Sequence, residues 1–147
     1  MSLQNLSKIG QLETHTTDAK QLNKLLESAA RNLADAKEKT ISNETRLDAA
    51  YRAITQMCMA ALWANGYRTS KRKPGHHQTM IQSLVHSVGL DSNQVMLLET
   101  FRIKRNAIDY TAEDVDGPSV AACIRAAEDL RRHFVRWLRS NRPELLN

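Results

Sequence analysis

Apolar residues recur every three to four positions through most of this chain, which is the spacing of one face of an α-helix. The first long stripe occupies residues 18–37, and its apolar members are Leu22, Leu25, Leu26, Ala29, Leu33 and Ala36. Thr17 precedes it as a suitable N-cap, and Asp18 suits the positive N-terminal end of a helix. This segment is therefore predicted to form the first long helix.

A second stripe, over residues 43–64, is richer in apolar side chains and predicts the central helix of the fold. Ser42 is a suitable N-cap, and Asn65 followed by Gly66 is a typical stop. The positions predicted to face inward are Leu47, Ala50, Tyr51, Ile54, Met57, Cys58, Ala61 and Leu62.

Three further stripes predict three more helices. They cover residues 77–88, residues 92–110, and a segment that Pro118 or Ser119 opens and that ends near residue 140. Gly89 ends the first of them, and Asp91 with Gln94 forms a capping-box pattern before the second. Because the connections are short, we expect neighbouring helices to be antiparallel. The predicted fold class is all-α: an up-and-down antiparallel bundle of four to five helices.

The remaining segments show no sustained periodicity. Residues 1–16 are predicted to be an N-terminal extension, in which Leu3, Leu6 and Ile9 could form one short helical turn. Residues 67–77, YRTSKRKPGHH, combine basic residues with a Pro-Gly helix breaker and are predicted to be an exposed loop. No segment alternates apolar and polar residues for long enough to predict a strand ladder.

Composition limits the size, the environment and the class of partner. The chain has 147 residues, 41% of them hydrophobic, so residues 1–147 are expected to form a single domain around one core. A formal net charge of +5 favours contact with a polyanion.

Cys58 and Cys123 stand alone in apolar helical surroundings, which is typical of a reducing compartment. No apolar run could span a bilayer and the N-terminus has no signal-peptide core, so we expect a cytoplasmic protein with no membrane partner, no metal site and no cofactor.

The fourth predicted helix carries an arginine where an apolar residue is expected. A helix advances about 100° per residue, which places Arg105 about 20° from Leu98, inside the apolar stripe. A guanidinium stays charged, so this one must meet a carboxylate, a helix end, or an opening that admits water or a ligand. Asp109, one turn later, is the nearest candidate partner.

Arg102, Arg105, Asn106 and Asp109 follow helical spacing and form one polar strip beside the core face, and Tyr110 ends the same helix. Two interpretations stay open at this point. The strip is either a structural ion pair with a terminal tyrosine, or an anion site in which an arginine, an amide and a tyrosine hydroxyl converge on a phosphate.

The segment FRIKRNAIDY resembles the motif helix of the HEPN superfamily, small helical bundles of prokaryotic toxin–antitoxin and defence systems. The longer stretches ANGYRTSKRKPGHHQTMIQSL and GLDSNQVMLLETFRIKRNAIDY extend the resemblance over most of the chain. Catalytic members are metal-independent ribonucleases with an arginine, often a polar residue directly after it, and a histidine a few residues on. Arg105 and Asn106 match that opening. Together with Asp109 and Tyr110 of the same helix, they form the predicted catalytic set.

The histidine that the family places after the arginine is missing here. Tyr110, Thr111 and Ala112 occupy its expected positions, and a tyrosine, with an ordinary pKa near 10, is a poor base at neutral pH. One alternative is that His76 or His77 folds back toward Arg105 and replaces it. The other is that the protein binds RNA without cleaving it.

Two basic clusters are candidates for contact with RNA. The loop cluster comprises Arg68, Lys71, Arg72 and Lys73, and Arg102 adds a charge on the fourth helix. The last helix is also rich in arginine, but part of that charge complements the helix dipole, so the loop cluster is the preferred candidate.

The resemblance also implies partners, since HEPN-like proteins commonly pair as two-fold dimers through their motif helices. A homodimer that brings two copies of Arg105 together is therefore expected. The first functional hypothesis is an RNA-directed protein, either a metal-independent ribonuclease or a catalytically defective RNA binder. The alternative is a non-enzymatic helical module that docks a nucleotidyltransferase, an antitoxin or another effector.

Overall fold

The computed structural model describes residues 2–146, in which α-helices pack around one shared core. The all-α fold class is confirmed. Its four long helices are α2 (Ala19–Ala36), α3 (Asn43–Ala64), α6 (Ser92–Thr111) and α7 (Gly117–Asn141). Shorter elements fill the ends of the bundle, and residues 1 and 147 of the predicted domain lie outside the described part.

Helix α3 is the centre of the molecule, as its apolar content predicts. It packs most extensively on α2 and α7 and also contacts α6. Every position predicted to face inward on α3 is buried, from Leu47 at the first turns to Leu62 near the end. Ser42 caps the helix through its side chain, which accepts a hydrogen bond from the Thr45 amide at 3.2 Å.

Local capping chemistry sets the ends of the other long helices within one or two residues of the prediction. Asp18, rather than Thr17, caps α2, because its carboxylate accepts a hydrogen bond from the Gln21 amide at 2.8 Å. Asp116 caps α7 in the same way, so this helix starts at Gly117, one residue before Pro118. Helix α6 runs one residue past Tyr110.

The predicted third helix is divided into α4 (His76–Gln82) and α5 (Leu84–Ser87). Ser83 separates them, and its buried hydroxyl donates a hydrogen bond to the Met80 carbonyl at 2.8 Å. A serine hydroxyl that satisfies a backbone carbonyl within a helical turn competes with the regular ladder and favours a break.

The N-terminal segment is more ordered than its lack of periodicity predicts. After the short helix α1 (Leu3–Lys8), strand β1 (Leu12–Thr14) pairs antiparallel with strand β2 (Tyr67–Thr69). The prediction of an exposed loop over residues 67–77 is therefore wrong at both ends, since residues 67–69 form β2 and His76 and His77 open α4. Leu12 is 2% exposed, so this pairing inserts the N-terminal segment into the core next to the end of α3.

Candidate functional site

Arg105, the residue that does not fit the apolar stripe of α6, faces α3. Its Nε donates to Asp48 Oδ1 at 2.7 Å, and its Nη1 lies 3.6 Å from Asp109 Oδ2. The side chain is 31% exposed. Burial opposes the charge, but the hydrogen bond and the attraction of Asp48 and Asp109 outweigh it and raise the pKa of Arg105. Its positive charge is therefore balanced inside the protein.

Tyr51 links Arg105 to the start of α4. The guanidinium carbon of Arg105 lies 5.5 Å from the centroid of the Tyr51 ring, a cation–π distance. The Tyr51 hydroxyl lies 3.4 Å from His77 Nδ1. Burial raises the pKa of Tyr51 above its ordinary value, so this phenol stays protonated at neutral pH.

His76 and His77 are the two histidines predicted to fold back toward Arg105. Of the two, only His77 contacts Tyr51 in the described chain. Burial, the neighbouring His76 ring at 4.6 Å between centroids, and the charges of Arg105 and Arg102 lower the pKa of His77. The imidazole is therefore neutral at pH 7. His76 is exposed at the first position of α4 and touches the cluster through the edge of His77.

Arg102 has a carboxylate partner of its own. Its Nε and Nη2 donate to the two oxygens of Glu99 at 3.0 and 2.9 Å, a bidentate pair. The two side chains are only 20% and 16% exposed. This hydrogen bonding raises the pKa of Arg102, and the guanidinium is committed to an intramolecular contact.

Asn106 and Tyr110, the other two members of the predicted catalytic set on α6, face away from this cluster. Both are exposed, and Tyr110 is 88% exposed near the end of α6. The structure thus brings together Arg105, Asp109 and His77 but leaves Asn106 and Tyr110 on the solvent side. We name the joined group, Asp48, Tyr51, His77, Arg105 and Asp109, the Arg105 cluster.

A shallow cleft opens beside Arg105, between the first turns of α3 and the end of α6. Glu44, Asp48 and Asp109 contribute three carboxylates to its lining, against one guanidinium. An anion that approached Arg105 from this side would meet net negative charge. The cleft therefore suits a phosphate poorly.

Four residues form the predicted loop cluster, and they differ in their pairing. Arg68 lies on β2 and pairs with Glu13 at 3.1 Å. Lys71, Arg72 and Lys73 are exposed in the turn between β2 and α4, and none of them forms an ion pair within residues 2–146. This turn leads directly into His76 and His77, so three uncompensated charges precede the His77 end of the Arg105 cluster along the chain.

Sequence reasoning missed two of the residues that fix Arg105. Asp48 is not part of any sequence motif. Tyr51 was predicted to belong to the core stripe of α3, and its ring does lie in the core. Both sit on a different helix from Arg105. The only indication in the sequence was the requirement that an inward arginine must meet a carboxylate.

The described residues contain no group of three or more His, Cys, Asp or Glu side chains arranged to hold a metal ion. Cys58 and Cys123 are buried free thiols. Within residues 2–146, no helix combines the length and the apolar character needed to cross a bilayer.

Comparison of this chain with family models, with curated proteins and with solved structures finds no match. Membership of the HEPN superfamily therefore stays a prediction that rests on the residues of α6 and its flanks.

Proposed function

We propose that this chain is an RNA-binding helical protein of the HEPN type, acting in a toxin–antitoxin or defence setting, that has lost ribonuclease chemistry. One observation carries the proposal: the arginines of the motif helix are already neutralised by carboxylates of the same chain. Arg105 is engaged by Asp48 at 2.7 Å and Arg102 by both oxygens of Glu99. A phosphate that approached either guanidinium would have to compete with the carboxylate of a short, partly buried ion pair.

The position of His77 supports the same conclusion. Cleavage of RNA through the 2′-hydroxyl needs a base near the attacking oxygen and a cation near the phosphate. His77 is neutral at pH 7, which suits a base, but its Nδ1 faces the buried Tyr51 hydroxyl. The cation that shares Tyr51 with it is the ion-paired Arg105. The Arg105 cluster therefore contains a possible base, His77, and a cation, Arg105, but the cation is already held in an ion pair.

RNA binding itself is supported by charge that the protein does not neutralise internally. Lys71, Arg72 and Lys73 are exposed and precede α4, and contact with phosphates would release condensed counterions. The proposed ligand, RNA, is present in the cytoplasm, and the two buried free thiols fit such a reducing compartment.

A second candidate function, the non-enzymatic partner module, is favoured by the outer face of α6. Met96, Ile103 and Tyr110 are 67%, 58% and 88% exposed and recur every seven residues. A stripe of this spacing is typical of a helix that pairs with another helix. A second copy of this chain fits it best, because an identical stripe can pair with itself about a two-fold axis; a nucleotidyltransferase or an antitoxin is the other partner that the resemblance implies.

The two functions are separated by one experiment on labelled RNA of about 20 nucleotides, in EDTA and over a series of salt concentrations. The variants are Arg105→Ala, His77→Ala and a triple loop variant with Lys71, Arg72 and Lys73 each changed to Gln. We expect salt-sensitive binding by wild type, no cleavage, and weaker binding only in the triple loop variant.

Two outcomes would reject this proposal. Cleavage by wild type that is lost in Arg105→Ala or His77→Ala would make the protein a ribonuclease. Absence of RNA binding in every version, together with self-association, would leave the partner module.

A further inference from the structure

The outer surface of α7 carries four exposed arginines on one side, Arg125, Arg132, Arg136 and Arg139, which we name the arginine face. At about 100° per residue they fall within an arc of about 60°. Arg125, Arg132 and Arg139 recur every seven residues, so their attachment points are about 10 Å apart along the helix. A solvent-open groove runs along this surface, lined by Arg131, Arg132, Val135, Arg136 and Arg139 together with Glu128.

Most of this charge has no partner within the protein. Asp129 pairs with Arg132, and Glu128 pairs with Lys37, which directly follows α2, rather than with an arginine of the face. Arg125, Arg136 and Arg139 form no ion pair within residues 2–146. Like charges one turn apart on a helix repel, so the face is held at a cost in stability that an anionic ligand would relieve.

The helix dipole accounts for little of the arginine face. Favourable interaction with the negative end of a helix is confined to about the last turn. Helix α7 ends at Asn141, so Arg139 benefits, whereas Arg132 lies more than two turns earlier and Arg125 more than four. The dipole therefore explains one arginine of the four.

The opposite side of α7 fixes the arginine face in place. Leu130, Phe134 and Leu138 are 0–2% exposed and pack in the core. Arg142, just beyond the helix, donates to the Ala64 carbonyl at 2.6 Å and attaches this end of α7 to the end of α3. The arginines therefore project from a rigid support and keep their spacing.

The composition of the surface favours a nucleic acid over a lipid bilayer. A helix that binds a membrane surface inserts an exposed apolar side into the lipid. The exposed large hydrophobic residues of the described chain lie outside α7. A surface that offers regularly spaced guanidiniums and little apolar area matches a chain of phosphates.

The arginine face extends away from the Arg105 cluster along α7. Lys104, the neighbour of Arg105, donates to Ser119 Oγ at 2.9 Å, which places the cluster beside the first turns of α7. At about 1.5 Å per residue, Arg132 lies about 20 Å further along α7 and Arg139 about 30 Å. A ligand on the arginine face is therefore bound independently of the HEPN-like motif.

We propose that the arginine face of α7 is a binding surface for the phosphate backbone of RNA, and that it anchors the RNA at a distance from the Arg105 cluster. This inference rests on the proposed RNA binding and names a surface for it that the motif does not supply. Guanidiniums bind phosphates through charge-assisted hydrogen bonds without reading the bases, so the anchor is expected to be insensitive to sequence.

The test compares two triple variants that each remove three positive charges. The first changes Arg125, Arg136 and Arg139, the three arginines without an ion pair, to Gln, and the matched control changes Lys8, Lys20 and Lys24 to Gln. All six residues are exposed, so both variants are expected to keep the thermal unfolding temperature of wild type. Affinity for single-stranded RNA of about 20 nucleotides is measured across a salt series, beside the triple loop variant of residues 71–73.

The arginine variant is expected to bind at least about tenfold more weakly than wild type. Its slope of log affinity against log salt is negative and is expected to become shallower by about 2, since each lost phosphate contact contributes about 0.7 on a single strand. The lysine control is expected to lose much less on both measures.

Three results would overturn the inference in distinguishable ways. Equal losses in both triple variants would mean that only net charge matters. Loss in the loop variant alone, with the arginine variant unchanged, would keep the proposed function and remove the anchor. Wild type that binds no RNA, while binding anionic lipid vesicles through the same arginines, would reject both proposals.

Discussion

At the scale of single residues, the fate of Arg105 depends on the carboxylates around it. A guanidinium on the inner side of a helix can be a ligand for a substrate or a partner in an ion pair, and geometry decides between them. Asp48 at 2.7 Å and Asp109 at 3.6 Å supply two negative charges for one positive charge. Arg105 therefore joins α3 to α6, and the proposed function assigns RNA contact to cations that have no such partners.

His77 makes the acid stability of the fold testable. Burial, His76, Arg105 and Arg102 lower its pKa below the ordinary 6.5, so the unfolded chain takes up a proton at this residue before the folded chain does. As pH falls below about 6.5, this difference lowers the free energy of unfolding, until the pH falls below the pKa of the folded state. Wild type is therefore expected to lose more stability between neutral and mildly acid pH than His77→Gln does.

Chemical denaturation at several pH values measures this difference, and His86→Gln, which removes an exposed imidazole, is the matched control. Titrating groups that do not interact with His77 are common to wild type and variant and cancel. A His77→Gln variant whose stability follows that of wild type at every pH would contradict the prediction.

Residue-scale contacts are also where the sequence was least informative. The inward position of Arg105 could be predicted from helical projection, and so could its need for an anion. Its principal partner, Asp48, lies 57 positions earlier on another helix, and periodicity carries no information about which helices meet. Tyr51 was placed correctly in the core, but its hydroxyl contact with His77 depends on how α4 packs against α3.

At the scale of elements, prediction succeeded where the controlling interactions are local. Ser42 with Asn65 and Gly66 sets both ends of α3, because caps act within a turn. The strands β1 and β2 could not be predicted, since each has three residues and the pair joins segments about 55 positions apart. The break at Ser83 was also missed, because it interrupts the helix at a single residue.

Helix α6 presents two unlike sides, and the outer one predicts an interface. At about 100° per residue, Arg105 points about 160° away from Ile103. A homodimer formed through Met96, Ile103 and Tyr110 would therefore keep the two Arg105 clusters apart. This geometry differs from the expected pairing of two Arg105 residues around a shared cleft.

The measurement is the mass in solution by sedimentation at micromolar concentration. We expect a dimer for wild type and a monomer for Ile103→Glu, since two copies of a lost isoleucine burial weaken association by about 3–6 kcal/mol, or about 100-fold or more. Ile9→Glu changes an isoleucine of similar exposure elsewhere on the surface and is expected to remain dimeric. Monomeric wild type would reject this use of the stripe.

At the scale of the whole molecule, the N-terminal segment belongs to the core. Residues 1–16 were expected to be an extension because no period is visible in them, yet Leu12 is 2% exposed and β1 is paired along its whole length. The backbone around the strand is also satisfied, as the Ser70 amide donates to the Gln11 carbonyl at 3.0 Å and the His15 amide to the Gly66 carbonyl at 2.8 Å. A segment tied down in this way closes the end of the bundle where α3 stops.

Leu12→Ala should therefore cost as much as a substitution in a long helix. Removal of a buried leucine side chain typically costs about 2–5 kcal/mol, through lost transfer free energy and the cavity that remains. We expect a decrease in the free energy of unfolding within this range, with a single cooperative transition, because the segment unfolds together with the bundle. The exposed neighbour Thr14→Ala serves as the matched control and is expected to change stability by less than about 1 kcal/mol. If Leu12→Ala were as stable as this control, the N-terminal segment would be an appendage of the bundle and the pairing of β1 with β2 would contribute nothing to its core.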